Sequence, residues 1–313
     1  MNDSPKNDKL LSLVIPLFGE EQNLKFVLDT IQTEIKKCKC DYELILVDDG
    51  SMDNTWAVIQ NEAKYNKMIK ALRLSRNFGK EAAICAGLEA AKGDAAILID
   101  GDLQHPPGLI PEMVDLWRDG KGDIIEAVKK MRGKETVVKR IGAIIFYYLF
   151  NKLSGSELGQ STDYKLLDRQ VINAWLKMGE RNLFFRGMTS WLGFKHVQIE
   201  FVVNKRFNGD SKWSLLNLIK LAVTALTAFS SLPLHLVTIL GFFFLIFAIF
   251  LGLNTLCQKI AGIAVSGFTT VILLQLIIGS LLMICLGIIG EYIARVYQEI
   301  KGRPRYLIKE RIE

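Results

Sequence analysis

Between Leu232 and Ile293 the chain is almost free of charge, and within that region Leu234–Leu253 and Phe268–Ile289 are uncharged, predominantly apolar stretches. Each is long enough to cross about 30 Å of hydrocarbon, which takes roughly 20 residues of helix. A hairpin buried in a soluble core is the alternative, and two uncharged stretches of this length argue against it. Two spans return the chain to the side on which it began. Residues 254–267 carry only Lys259 as a charge, whereas Arg295, Lys301, Arg303, Arg305, Lys309 and Arg311 follow the second stretch. The positive-inside rule then predicts an integral inner or plasma membrane protein whose N-terminal part and C-terminal tail are cytoplasmic. Met1–Lys9 is polar and leads into a short apolar run rather than a signal-peptide core, so export of the N-terminal part is not expected.

Half of the 313 residues are hydrophobic, yet the first two-thirds of the chain is an ordinary mixture of charged and apolar residues. There Leu11–Leu17, Tyr42–Val47, Ile69–Leu74, Ala95–Ile99 and Asp123–Val128 are short apolar runs. Between them lie helical patterns, as in Leu24, Val27, Leu28, Ile31 and Ile35, and over Asn54–Tyr65, Lys80–Ala91 and Leu109–Trp117. The alternation predicts an α/β domain with a largely parallel sheet over residues 1–210. An amphipathic helix over about 135–153 suits a membrane surface or a core equally. Residues 211–230 read as an interfacial helix, 231–294 as two transmembrane helices (about 234–253 and 268–289), and 295–313 as a basic cytoplasmic tail.

The net charge of +6 fits nucleic acid, anionic lipid and phosphorylated substrates alike and selects none of them. The five cysteines lack zinc-site spacing and read as free thiols.

In a parallel sheet ligands bind beyond the carboxyl ends of the strands, and acidic residues gather there. Asp100-Gly101-Asp102 ends a buried run in two carboxylates, which can approach one hard cation, Mg²⁺ or Mn²⁺, with Gly101 permitting close backbone approach. Such an ion bridges phosphate oxygens and neutralises a leaving group. A capping role would account for one aspartate after a strand. Asp48-Asp49-Gly50-Ser51 ends another run; Ser51 or Asp53 can cap the helix that follows, and the aspartates are free to accept hydrogen bonds from a base or ribose. His105 precedes Pro106-Pro107 and reads as a turn residue; Glu291 marks a membrane boundary or pairs with Arg295.

Three ordered motifs, Leu13-Val14-Ile15-Pro16 with Glu20-Glu21, Val47-Asp48-Asp49-Gly50-Ser51, and Asp100-Gly101-Asp102-Leu103-Gln104, resemble the family 2 glycosyltransferases of GT-A fold. Arg73 to Lys80, Asp163-Tyr164-Lys165, Arg186-Gly187, Arg206 to Trp213 and the two spans narrow the resemblance to polyprenyl-phosphate glycosyltransferases. That group includes bactoprenol glucosyltransferases and dolichol-phosphate mannose synthases. The resemblance covers essentially the whole chain.

It implies that Pro16, Phe18, Glu20, Asp48, Asp49 and Asp100 contact a nucleotide sugar, UDP-glucose in the first instance, and that Asp100, Asp102 and Gln104 surround the metal. Phe18-Gly19 departs from the Tyr-Asn or Phe-Asn of many members and removes one side-chain contact. The implied acceptor is a polyprenyl phosphate such as undecaprenyl phosphate. No nucleic-acid partner is expected, and the resemblance leaves room for a homo-oligomer.

A phosphate monoester is already largely dianionic at neutral pH, so it can attack without a general base. Asp163 is therefore expected to position donor hydroxyls or acceptor arginines, with catalytic base as the alternative. Bringing a dianion up to a diphosphate requires cations along its path. Arg132, Arg140, Arg186, Arg206 and Lys212, with Ser211, are the candidates, since arginine's planar fork suits phosphate oxygens; for Arg132 and Arg140 a solvated or lipid-headgroup-facing role is the alternative. Direct displacement inverts the anomeric carbon. The rivals are a GDP-mannose or other UDP-sugar donor, and a non-catalytic membrane scaffold.

Overall fold

In the computed structural model, residues 9–129, 162–180, 185–201, 232–262 and 267–313 are described. Arg132, Arg140, Arg206, Ser211 and Lys212, and the helices expected over 135–153 and 211–230, lie outside them. The chain divides into two compact units, Met1–Leu218 with Arg303–Glu313, and Ile219–Gly302.

The first unit is built as β1 (Leu10–Leu17), α1 (Leu24–Lys36), β2 (Asp41–Asp48), α2 (Thr55–Tyr65), β3 (Ile69–Leu74), α3 (Lys80–Ala90), β4 (Ala95–Leu98), α4 (Ile110–Arg118), β5 (Ile124–Lys129), β6 (Lys165–Asp168), α5 (Arg169–Lys177), α6 (Phe185–Trp191), β7 (His196–Phe201) and, from the end of the chain, β8 (Ile308–Ile312). The strands form one eight-stranded sheet in the order β7-β5-β6-β4-β1-β2-β3-β8. Leu13, Val14 and Ile15 of β1 and Leu44 to Val47 of β2 are fully buried, as expected of central parallel strands covered by helices on both faces. Leu24, Val27, Leu28, Ile31 and Ile35, the periodic residues of α1, are its buried face.

The sheet is mixed rather than uniformly parallel. β1, β2, β3 and β4 run parallel, but β6 is antiparallel to both β4 and β5, and β8 is antiparallel to β3. β6 is a four-residue strand headed by a lysine, Lys165, which is tolerated at 0% exposure because Glu126 of the neighbouring strand lies 3.1 Å away and the Thr189 hydroxyl 2.9 Å away.

The second unit holds α7 (Leu232–Ile260) and α8 (Phe268–Ile300), of 29 and 33 residues. At 1.5 Å per residue these are about 43 and 50 Å long, and both are long and apolar enough to cross a membrane. α8 continues past the expected end at residue 289. Ile293, Val296, Tyr297 and Ile300 keep helical spacing, Glu291 pairs with Arg295 at 3.1 Å, and the helix runs through Gly290 to end before Gly302 and Pro304.

The reading of 295–313 as a tail is corrected accordingly. Its first residues extend a helix and its last form an edge strand, because the alternation of Ile308, Glu310 and Ile312 matches the open edge of β3.

Candidate active site

After β3 the chain returns to the other side of β1 to form β4, so the strand order reverses between β1 and β4. A ligand crevice opens at the carboxyl ends of strands on either side of such a switch. Asp100-Gly101-Asp102 follows β4 there, facing the loop after β1. A Cβ on Gly101 would lie 2.6 Å from Leu17 Cδ2, so any larger residue would require the Leu17 side chain to shift, and glycine lets the turn pack against β1 as it stands. Asp102 Oδ1 accepts the Gln104 backbone N–H at 3.1 Å, and Oδ2 accepts its side-chain amide. This Asx-type turn holds Leu103 at φ 52°, a left-handed conformation that costs about 1–2 kcal/mol.

Asp100 turns toward a second group of charges. Its carboxylate meets Lys80 Nζ at 2.7 Å, and His105 Nδ1 lies 3.5 Å from Oδ2. Lys80 opens α3, and the same ammonium lies 2.6 Å from Asp163 Oδ2. Arg186 of α6 closes the other side of Asp163, with Nε 2.7 Å from Oδ1 and a terminal nitrogen 3.0 Å from Oδ2. Asp163 arrives here because β6 runs antiparallel to β4 with Lys165 opposite Leu98, which sets the start of β6 beside the end of β4.

Burial opposes ionisation of Asp163, but Arg186 and Lys80 outweigh it and hold the carboxyl well below the usual carboxylate range. Burial also works against the Lys80 charge, and Asp100 and Asp163 overcome it and raise its pKa. Glu81, next along α3, goes the other way. Burial and the Asp163 charge push it up to about 7, against the Phe185 N–H, which donates to Oε2 at 3.0 Å, and against Arg186 and Lys80.

A carboxyl raised in this way binds its proton more tightly in the folded state. The stability it lends is complete below pH 4.5 and is lost as the pH rises to about 7. Glu81→Gln is expected to flatten the fall in thermal midpoint across that window; an unchanged slope would assign it to other groups.

Asp48 and Asp49 end β2 with their oxygens turned to the protein. Asp49 accepts the N–H of Phe78 at 2.8 Å and of Gly79 at 2.9 Å, while burial pushes its pKa up. Asp48, fully buried, accepts the Ser51 N–H at 3.0 Å and faces Arg73 Nε at 3.4 Å. Gly50 between this pair and Ser51 sits at φ 68°, where a Cβ would come within 2.4 Å of the Arg76 backbone.

The helix after this turn is held by Asp53, whose Oδ1 accepts the Thr55 N–H at 3.1 Å. Ser51 and Thr55 instead accept the Gly19 and Glu20 N–H groups at 3.1 and 3.0 Å. The β2 turn thus fixes the β1 turn, where Phe18 is 49% exposed and Pro16 and Glu20 are partly exposed. Glu20, Asn23, Phe26 and Val27 line a recess shared with Gly101, Asp102 and Leu103.

The structure therefore gathers Asp100, Asp163 and Arg186 into one charged cluster, with Asp102 and Gln104 on the adjoining turn. Lys80 and His105 join them without having been singled out as site residues. The rule that directed attention to strand-end aspartates also covers Lys80, which begins the helix after β3.

The oxygen donors of Asp100 and Asp102 suit a hard cation. Among the described residues no group of three or more His, Cys, Asp or Glu is gathered to hold a metal. A Mg²⁺-type ion needs only one or two carboxylates when phosphate oxygens and water complete its shell, so these residues fit an ion that binds together with a diphosphate.

Residues 12–176 match the family model described as glycosyl transferase family 2. The chain belongs to this family. As a family 2 glycosyltransferase it is 39% identical over 305 residues to an uncharacterised glycosyltransferase of Synechocystis, covering 96% of this chain and 95% of that one. It is 36% identical to a prophage bactoprenol glucosyl transferase homolog of Escherichia coli, over 96% of this chain and 98% of that one. It is likewise 36% identical to a bactoprenol glucosyl transferase of Shigella phage SfX, over 96% and 99%. These similarities run through both apolar helices as well as the α/β domain. The GT-A-like α/β fold and the transferase class are those of the family.

Proposed function

We propose that this glycosyltransferase moves glucose from UDP-glucose onto the phosphate of a polyprenyl lipid of the undecaprenyl type, at the cytoplasmic face of a membrane and with inversion of the anomeric carbon. The observation that carries the reading is the cluster in which the metal-type carboxylate Asp100 adjoins the cations Lys80 and Arg186 across Asp163. It combines groups for a metal-bound diphosphate with cations for a second phosphate. Two helices long enough to span a bilayer, and relatives named for bactoprenol, support a lipid as the carrier of that second phosphate.

Asp100 and Asp102, with Gln104 beside them, would hold Mg²⁺ or Mn²⁺, which when bound neutralises charge on the leaving diphosphate. Pro16, Phe18 and Glu20 form the wall for the nucleotide. Asp48 and Asp49 act on that wall through the turn they fasten. Lys80 and Arg186 lower the repulsion between the incoming dianion and the diphosphate. Asp163 holds these two cations in place, and its low pKa makes it a weak proton acceptor at neutral pH. Arg132, Arg140, Arg206, Ser211 and Lys212 extend the acceptor path in this reading.

Purified full-length protein is tested with radiolabelled UDP-glucose, UDP-galactose, UDP-N-acetylglucosamine and GDP-mannose, each with undecaprenyl phosphate and Mg²⁺ or Mn²⁺. The expected result is extraction of label into the lipid phase from UDP-glucose, dependent on the ion. Label from GDP-mannose alone would transfer the reading to a mannosyl donor, and no lipid-phase label from any donor would overturn it.

A further inference from the structure

The chain's last residues, which follow directly from α8, are bound into the α/β unit at several points. Ser75 N–H donates to the Leu307 carbonyl at 2.8 Å, and Arg305 donates to Cys85 Sγ at 3.3 Å and to the Met178 carbonyl. Tyr306 donates its hydroxyl to Glu89. The antiparallel register then sets Glu310 of β8 opposite Arg73 of β3.

Both carboxylate oxygens of Glu310 are used. Oε1 accepts from Arg73 at 3.0 Å, and Oε2 accepts from the Trp56 indole N–H at 2.8 Å. These bonds hold its pKa below the usual range.

Arg73 passes the contact on. Its Nε lies 3.4 Å from Asp48 Oδ2, a second nitrogen donates to the Ser51 carbonyl at 3.4 Å, and the guanidinium carbon stands 5.8 Å from the centre of the Trp56 ring. Ser51 is thereby gripped from three directions, since its N–H goes to Asp48 and its hydroxyl accepts the Gly19 N–H. A guanidinium held at both ends is a fixed fork; with one end free it is a long side chain that can turn to solvent.

We infer that Glu310 is a positioning residue for the donor site: acting through Arg73 and Ser51, the C-terminal strand sets the Gly19 backbone beside Phe18 and Glu20, and so the surface offered to a nucleoside diphosphate. This rests on the reading of that turn as the nucleotide wall. β8 is then part of the donor site's frame although no atom of it need touch the ligand.

The test is titration calorimetry of the full chain in detergent with UDP and, in parallel, GDP, each with MgCl₂. Wild type is compared with Glu310→Ala, Glu310→Gln and Ile312→Ala, and donor KM and kcat are measured alongside. Losing one charged hydrogen bond in the relay corresponds to about a tenfold weaker Kd and higher donor KM for Glu310→Ala, with kcat within about twofold. Glu310→Gln, which keeps an acceptor oxygen, falls between. Ile312→Ala trims the half-buried apolar end of the same strand and is expected to lower the thermal midpoint while leaving Kd within about twofold of wild type.

Equal affinity in wild type and Glu310→Ala overturns the relay alone. An Ile312→Ala protein that binds as poorly as Glu310→Ala also overturns it, because strand docking in general would then set the site. Wild type that binds neither nucleotide overturns the donor-site reading and the relay together. If Glu310→Ala does not fold, the near-isosteric Glu310→Gln carries the comparison.

Discussion

Transfer by the Asp102→Asn protein is expected to fall by about 10³-fold, the scale on which one preorganised electrostatic group acts in an active site, with little change in thermal midpoint. Asparagine is the informative replacement because Asp102 has two jobs. Its Oδ1 accepts the Gln104 N–H at 3.1 Å and so holds Leu103 in its left-handed conformation. An asparagine carbonyl can accept the same bond, and Asn supports this kind of turn as well as Asp does. The contact of Oδ2 with the Gln104 amide is kept if that amide rotates to present its oxygen. What is lost is a negative charge, one of two carboxylates in the turn. Lipid-phase label and a melting curve on the same preparation separate the outcomes: undiminished transfer removes the metal assignment, and a large drop in midpoint assigns Asp102 to the fold.

Asp163→Asn is expected to lower transfer by about 10²-fold, within the range spanned by loss of positioned charge, and to leave the shape of the pH–rate profile unaltered between about pH 5 and 8. Asp163 accepts from Arg186 at 2.7 and 3.0 Å and from Lys80 at 2.6 Å. An amide can accept from one of these cations while its NH₂ group is turned on another. Lys80 is left to Asp100 alone, and Arg186 loses its bidentate partner.

Because Lys80 and Arg186 are 41% and 37% exposed, water takes up part of the uncompensated charge, and the effect on stability is smaller than for a fully buried pair. The profile is the decisive readout. A carboxyl held well below the usual range has no ionisation to show near neutrality. If the variant drops to background and the wild-type profile rises through an ionisation that the variant lacks, Asp163 is the base and the positioning role is wrong.

The aspartates after β2 and β4 were legible because a carboxylate after a buried run is a local pattern. Both pairs do lie at strand ends beside the switch between β1 and β4. Their bonds within the fold were not legible: Asp48 accepts the Ser51 N–H and Asp49 those of Phe78 and Gly79, because the amides of two turns converge on the end of β2.

Lys80 could be placed at a helix start but not against Asp163, which is 83 residues away in the chain. Their meeting requires β6 to lie antiparallel beside β4, a pairing that the four residues Lys165–Asp168 do not announce. Burying Lys165 at the head of that strand is tolerated because Glu126 lies 3.1 Å away and the Thr189 hydroxyl 2.9 Å away.

What the sequence by itself determined is therefore what depends on neighbours along the chain: the helical face of α1, the carboxylates that close β2 and β4, and the two helices of bilayer length. These follow from period, run length and local charge. Only the tertiary structure decided which charges would share a site and that Ile308–Ile312, polar enough to read as a tail, would be the strand that completes β3. An edge strand has no strong signal of its own; it is chosen by the backbone groups left open on its neighbour. Here Arg73 and Trp56 select Glu310 from the far end of the chain.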